Sequence, residues 1–265
     1  MKKLLIPIIV LALSLSAFAL QPFAANETAD VFVTVSNGSL VLTQEKITVT
    51  DIDDDGALTI NDALYLAHEA KYEGGANAGY GSEKSEYGLS LTKLWGIENG
   101  GSYGYCVNNS SAMGLTDAVK NGDYISAYVY TDTVGYSDAY CYFDQYTVSA
   151  VAGKEFILTL SASGYDDNWA PITKPVAGAV ITINGKDSSF ITDSEGKVTV
   201  KLDSEGSYTI SAKSSSETLV PPVCIAAVSP ASSATGDAVT MICITIGVMI
   251  MSLSVLSLRK KNYEA

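Results

Sequence analysis

The segments "VFVTVS" (31–36) and "KITVTD" (46–51) alternate apolar and polar positions, are rich in β-branched residues and enclose Gly38. A period of two on either side of a turn predicts a β-hairpin. The period then changes. In "TINDALYLAHEAKY" (59–72), Ile60, Ala63, Leu64 and Ala67 recur at helical spacing, Thr59 and Asp62 form a capping-box-like start, and Gly74-Gly75 stop the helix. A polar stretch, "GGANAGYGSEKSEYG", leads on to predicted strands at "LTKLWGIE", "SYGYCVNN", "DYISAYVYTD" and "DAYCYFDQ". In the third of these, Ile125, Ala127 and Val129 point to one face and Tyr124, Tyr128 and Tyr130 to the other. Strand, strand, helix, strands is the order of a small sheet with one helix packed on it, an α+β layer solution.

A second rhythm begins near Tyr146. "EFILTLSASGY", "AGAVITING", "SSFITD", "GKVTVKL" and "GSYTISAKS" are short alternating runs separated by turn signals such as Asn184-Gly185 and Asp193-Ser194-Glu195-Gly196. Short, evenly spaced strands with no helix predict an all-β antiparallel sandwich. The small-residue stretch "SPASSATGD" (229–237) reads as a linker.

Both ends are apolar. Met1-Lys2-Lys3, the run Leu4 to Leu15 and Ala17-Phe18-Ala19 have the layout of a secretory signal peptide over residues 1–19. Ala238 to Leu258 is an apolar stretch of about 21 residues, enough to cross a bilayer as a helix. Arg259-Lys260-Lys261 follow it, and such a basic cluster stays on the cytoplasmic side. The expected organisation is therefore a signal peptide, a first domain at 26–145, a sandwich at 146–228, the linker, a span at 238–258 and a tail at 259–265. The expected location is the cell surface, with the region between the apolar ends outside.

Charge narrows the partners. Residues 26–237 hold 28 Asp and Glu against 11 Lys and no Arg, leaving a net charge near −17. Nucleic acid draws on clustered Lys and Arg and is not expected as a partner, and anionic lipid is disfavoured likewise. Solubility, cation binding or a basic partner suit this balance. Cys243 lies in the apolar tail, and the remaining Cys106, Cys141 and Cys224 are an odd number without framework spacing. Buried free thiols are expected, with a Cys106–Cys141 link left open.

Catalytic signals are sparse. His68 is the sole histidine, with no Cys or second His at ligand spacing, and reads as a packed or solvent-facing helical residue. The sequence carries no His-x-x-x-His pair, and the expectation is a protein that is not an enzyme. The tyrosines at 103, 105, 124, 128, 130, 140 and 142 offer an aromatic face for sugar or protein, or packing against the second domain, which is the favoured reading.

"DIDDDGALTIND" (51–62) carries the most specific pattern. A calcium loop offers oxygens at positions 1, 3, 5, 7, 9 and 12 and turns at a glycine in position 6. Counted from Asp51, these are Asp51, Asp53, Asp55, the Ala57 carbonyl, Thr59 or a water it holds, and Asp62, with Gly56 at the turn. The competing reading is a solvated acidic turn that happens to cap a helix.

Four resemblances follow from residues already quoted. "DIDDDGALTINDALYLAHEA" resembles one half of a dockerin module, in which an aspartate-rich EF-hand-like loop runs into a single helix; this implies Ca2+ and, for a complete module, a cohesin partner. No second half is present. "LWGIENGGSYGYCVNN" with "GLTDAVKNGDYISAYVYTD" looks like the transcobalamin-type C-terminal domain, carried by Tyr103, Val107, Asn108, Asp117, Gly122, Asp123, Tyr128 and Tyr130. That implies a β-grasp-like fold over roughly residues 31–132, and corrinoid or another small ligand as an alternative partner. "GAVITINGKDSSFITDSEGKVTVKL" is similar to Ig-like or carboxypeptidase-regulatory-like modules of bacterial surfaces. Thr235-Gly236 before an apolar span and basic tail resembles the sorting signal of Gram-positive wall proteins, although Ser232-Ser233 stand where that signal has Leu-Pro. Sortase linkage to the wall and a plain membrane anchor both remain open. Together these give a surface protein for binding or adhesion, its partner a protein or glycan, with calcium as a structural ion.

Overall fold

The hairpin signal at the start becomes β1 (Ala29–Ser36) and β2 (Leu40–Val49), paired antiparallel from Ala29↔Val49 to Ser36↔Leu40. The computed structural model describes residues 28–231 apart from 87, 99, 101 and 169. The expected signal peptide and the apolar span at 238–258 lie outside the described residues, and among those described no helix is long and apolar enough to cross a membrane.

The predicted helix is α1 (Ile60–Lys71), followed by the single-turn α2 (Gly75–Gly79), β3 (Gly81–Ser85), β4 (Gly88–Lys93), β5 (Tyr103–Val107), β6 (Ser110–Ser111) and β7 (Tyr124–Val129). The main sheet runs β2-β1-β7-β5-β6, with β1 and β7 parallel in the register Phe32↔Tyr124 to Ser36↔Tyr128. A parallel pair needs a crossover, and the segment containing α1 and the β3–β4 hairpin supplies it. Val31, Val33, Val35 and Ile125 on the sheet and Ile60, Ala63, Leu64 and Ala67 on α1 are fully buried in one core. Each of the larger chains contributes about 1.5–3 kcal/mol by leaving water.

One departure from the sequence expectation occurs here. The polar stretch after α1 is ordered as α2 and β3, because Glu69 accepts from the Ala76 amide at 2.9 Å and the β3 amides pair with β4. Packing, the favoured reading of the tyrosines, is seen at Tyr128, which is buried against Tyr140, Cys106 and Val220.

The remaining strands are β8 (Ala139–Phe143), β9 (Thr147–Val151), β10 (Glu155–Tyr165), β11 (Pro171–Pro175), β12 (Val180–Ile183), β13 (Lys186–Ile191), β14 (Lys197–Lys201), β15 (Gly206–Lys213), β16 (Leu219–Val220) and β17 (Cys224–Ser229). One sheet runs β13-β12-β15-β17-β9; the other runs β11-β10-β8-β16, with β14 also on β10. Leu158, Leu160, Val198 and Val200 meet Ile181, Ile210, Cys224 and Ala226 in a shared core.

Strand "DAYCYFDQ", grouped by sequence with the first domain, belongs here, because β8 pairs with β10 and β16. The expected all-antiparallel order is corrected as well: β9–β17 and β8–β16 are parallel. Gly196 shows how tightly β10 is gripped. Its φ is +75°, it accepts from the Leu160 amide at 2.8 Å, and a Cβ there would lie 2.3 Å from the Leu160 carbonyl oxygen. Overall the described chain is mostly β, and its residues up to Pro230 form one compact unit.

The two groups of sheets meet in a tyrosine-lined seam. Tyr124 stacks on Tyr146 with centroids 3.8 Å apart, and the Gln44 side-chain amide donates to the Tyr146 carbonyl at 3.0 Å. The seam cavity is about 20 Å³. That is room for about one water, far below the roughly 300–1,000 Å³ of a small-molecule site.

Candidate metal centre

The chain leaves β2 after Val49 and must reverse before α1 begins at Ile60. It turns through Asp54 (φ +57°) and Gly56 (φ +85°), the left-handed region in which glycine is least strained. Aspartate carboxylates hold the turn: Asp51 accepts from the Asp55 amide (3.2 Å) and the Gly56 amide (2.9 Å), and Asp55 accepts from the Ala57 amide (2.9 Å). One carboxylate oxygen each from Asp51, Asp53 and Asp55 then lies within 4.8 Å of the others. Oxygens sharing a calcium ion at about 2.4 Å stand no farther apart than about 4.8 Å, so the donor set fits that ion.

Without a cation the same arrangement is costly. Unit charges at such a separation repel by on the order of 1 kcal/mol per pair even in water. Partial desolvation of the loop, then Asp55, Asp62 and Asp51, push the Asp53 carboxyl above its ordinary value.

Of the sequence-proposed ligands, Asp51, Asp53 and Asp55 are brought together, and Ala57 follows at the loop's exposed edge. Thr59 and Asp62 are placed differently. Asp62 is fully buried and accepts from the Ile52 amide (3.1 Å), the Thr59 amide (2.8 Å) and the Thr59 hydroxyl (2.7 Å). Of about four lone-pair directions on that carboxylate one remains, which excludes a bidentate role in this arrangement. Thr59 is the N-cap of α1, its hydroxyl also accepting from the Asp62 amide at 3.3 Å, so both groups serve the capping box.

Sequence reasoning missed what braces the loop. The Val119 amide donates to Leu58 O (2.8 Å), the Ile60 amide to Asp117 O (3.0 Å) and the Asn61 amide to Leu115 O (2.9 Å). These partners are more than fifty positions away and no local period reveals them. Asn61 was missed too. Its side-chain nitrogen donates to Asp53 at 3.2 Å, and its oxygen accepts from the Tyr80 hydroxyl at 2.7 Å and the Ser82 hydroxyl at 3.1 Å.

His68 is fully buried, with Nδ1 2.6 Å from Leu64 O and Nε2 accepting from the Trp95 amide at 3.0 Å. A carbonyl only accepts, so Nδ1 carries the proton and the ring is neutral; burial holds its pKa below the usual value. It ties α1 to the turn after β4.

Cys106, Cys141 and Cys224 are free and buried. Burial pushes the Cys106 thiol up to about 11 and Cys224 up to about 12, so neither forms a nucleophilic thiolate near neutrality. Asn108 and Asp123 are brought together, the amide donating at 2.8 Å, beside Gly122 at φ +89°. That pair closes the turn into β7.

No protein-family model matches the chain, and no curated protein matches it. Among solved structures, it is similar to the N-terminal four Ig domains of Dscam1 isoform 9.44, at 12% identity over 57% of this chain and 32% of that one, with a TM-score of 0.21. For isoform 7.44 the values are 11%, 78%, 47% and 0.22. The chain thus spans less than half the length of these structures, and at such scores the likeness carries no argument about the site.

Proposed function

We propose that this is a calcium-binding, non-enzymatic protein of the cell surface, used for binding or adhesion, in which the ion is structural. In this reading a β-grasp-like domain holds the loop and an Ig-like sandwich carries it away from a membrane or wall anchor. One observation carries the calcium assignment: the mutual approach of the Asp51, Asp53 and Asp55 oxygens to within 4.8 Å on a glycine turn. Asp51, Asp53 and Asp55 would hold the ion, which neutralises the repulsion among them and fixes the chain between β2 and α1. The acidic balance of the chain supports a cation as ligand and a basic or neutral partner surface.

The test is the thermal midpoint of the chain in chelator and across a calcium titration. Binding to the folded state alone stabilises by about 2.7 kcal/mol at 100-fold over Kd, a shift of several degrees. The shift should vanish in the Asp51→Ala, Asp55→Ala double variant. No shift at about 10 mM calcium, well above the affinity range of extracellular modules, would leave an acidic helix-capping turn and end the proposal.

A further inference from the structure

We infer that Asn61 is a positioning residue that makes the β3–β4 hairpin respond to occupancy of the aspartate loop; the inference rests on the calcium reading above. The orientation of the Asn61 side chain follows from chemistry. Asp53 is acceptor-only when ionised, so the amide nitrogen must face it, and the amide oxygen is left for the Tyr80 and Ser82 hydroxyls. Asn61 is 5% exposed and its bond to Tyr80 is buried, while Asp53 is exposed and Ser82 half-buried.

The bonds join the loop to the start of a hairpin whose Leu91 and Leu94 share the core with α1. On one side stands Asp53, one of the three converging carboxylates of the loop. On the other, Ser82 lies on β3 and Tyr80 immediately precedes it. β3 is polar, half-buried at Gly81 and Ser82 and exposed from Glu83 to Ser85, so its outer half depends on a few fixed points at its start. Tyr80 continues the connection: its ring packs at 5.2 Å from His68, whose Nε2 holds the Trp95 amide just beyond β4. Both ends of the hairpin are therefore tied to α1 residues, and the first tie shares an amide with a metal ligand. An ion that fixes Asp53 fixes the donor side of Asn61, and with it the acceptor side that holds Tyr80 and Ser82. Outer partners of metal ligands commonly change affinity by 10–100-fold when removed.

The experiment is hydrogen exchange of the full chain at amides 81–93, with and without calcium chloride, alongside a calorimetric calcium isotherm. In the wild-type chain, calcium should slow exchange across the hairpin. Asn61→Ala should still bind calcium, roughly tenfold more weakly, and the hairpin should no longer respond. Tyr80→Phe combined with Ser82→Ala cuts only the hairpin side; it should keep near-wild-type affinity and lose the response, and it serves if Asn61→Ala does not fold. Absence of calcium binding by the wild type would sink the calcium reading itself. Binding with an unchanged hairpin, or a response that survives in the variants, would overturn the coupling alone.

Discussion

The turn at Asp193 and the loop at Asp51 use the same local chemistry with opposite electrostatic outcomes. In the second group of sheets, Asp193 accepts from the Glu195 amide (2.8 Å) and the Lys197 amide (2.9 Å), one carboxylate closing one turn with a lysine alongside. Asp166 does the same with the amides of Asn168 and Ala170. The loop after β2 places three carboxylates around one turn and supplies no basic side chain among them. Asp132 and Asp53 make the contrast sharper. Amides of Gly135 and Val134 and the Ser137 hydroxyl hold the exposed Asp132 carboxyl down at about 2, whereas Asp53 is raised. A single aspartate in a turn is stabilised by the amides it gathers; a cluster of them gathers amides and still repels itself.

The comparison can be strained first at its glycines. Gly196→Ala forces a positive φ on alanine and drives its Cβ into the Leu160 carbonyl, so a loss of roughly 3 kcal/mol is expected in denaturant unfolding. Next in size is the calcium shift of about 2.7 kcal/mol at 100-fold over Kd, which Asp193→Ala should leave intact. Should that variant reduce the shift, the two turns would not differ as described. Gly56→Ala, with the same sign of φ but open space around it, should cost only about 1–2 kcal/mol in chelator, and a loss matching that of Gly196→Ala would contradict it.

The smallest effects come from pH. Asp53 binds its proton more tightly in the folded chain, so without calcium stability should fall as pH rises from the unfolded value near 3.8 through the raised one, and Asp53→Asn should remove that slope. Asp132 runs the other way: its contribution is present above 3.8 and is lost as pH falls toward about 2. His68 adds stability above 6.5 that is lost as pH drops below it, because the folded ring resists protonation. Acid titrations of the thermal midpoint for the three single variants separate these slopes.

Local periodicity carried much of the fold. The β1–β2 hairpin, α1 with its Thr59 cap, β7 and β10 all follow the alternation or helical spacing of their own residues. What failed to show has a common physical cause. β3 reads "GSEKS" and β11 is bounded by Pro171 and Pro175, so pairing rather than alternation defines them. Likewise β8 looks identical whichever sheet it joins, and only its partners β10 and β16 decide. In the loop, ligand spacing placed Asp51, Asp53 and Asp55 together, since a six-residue turn is a local object. The brace from 115–119 and the link through Asn61 to Tyr80 depend on where distant segments arrive.

The last described strand has a mechanical meaning. β17 lies between β15 and β9, in register from Ile225↔Thr147 to Ser229↔Val151 on one flank and from Gly206↔Val228 to Ile210↔Cys224 on the other. Tension applied to the chain beyond Ser229 runs along the strand axis, across the perpendicular bonds of the β15 ladder and the slanted bonds of the β9 ladder. Those bonds are then loaded in shear as a group instead of peeling open in sequence, so the C-terminal strand resists a pull through both ladders at once.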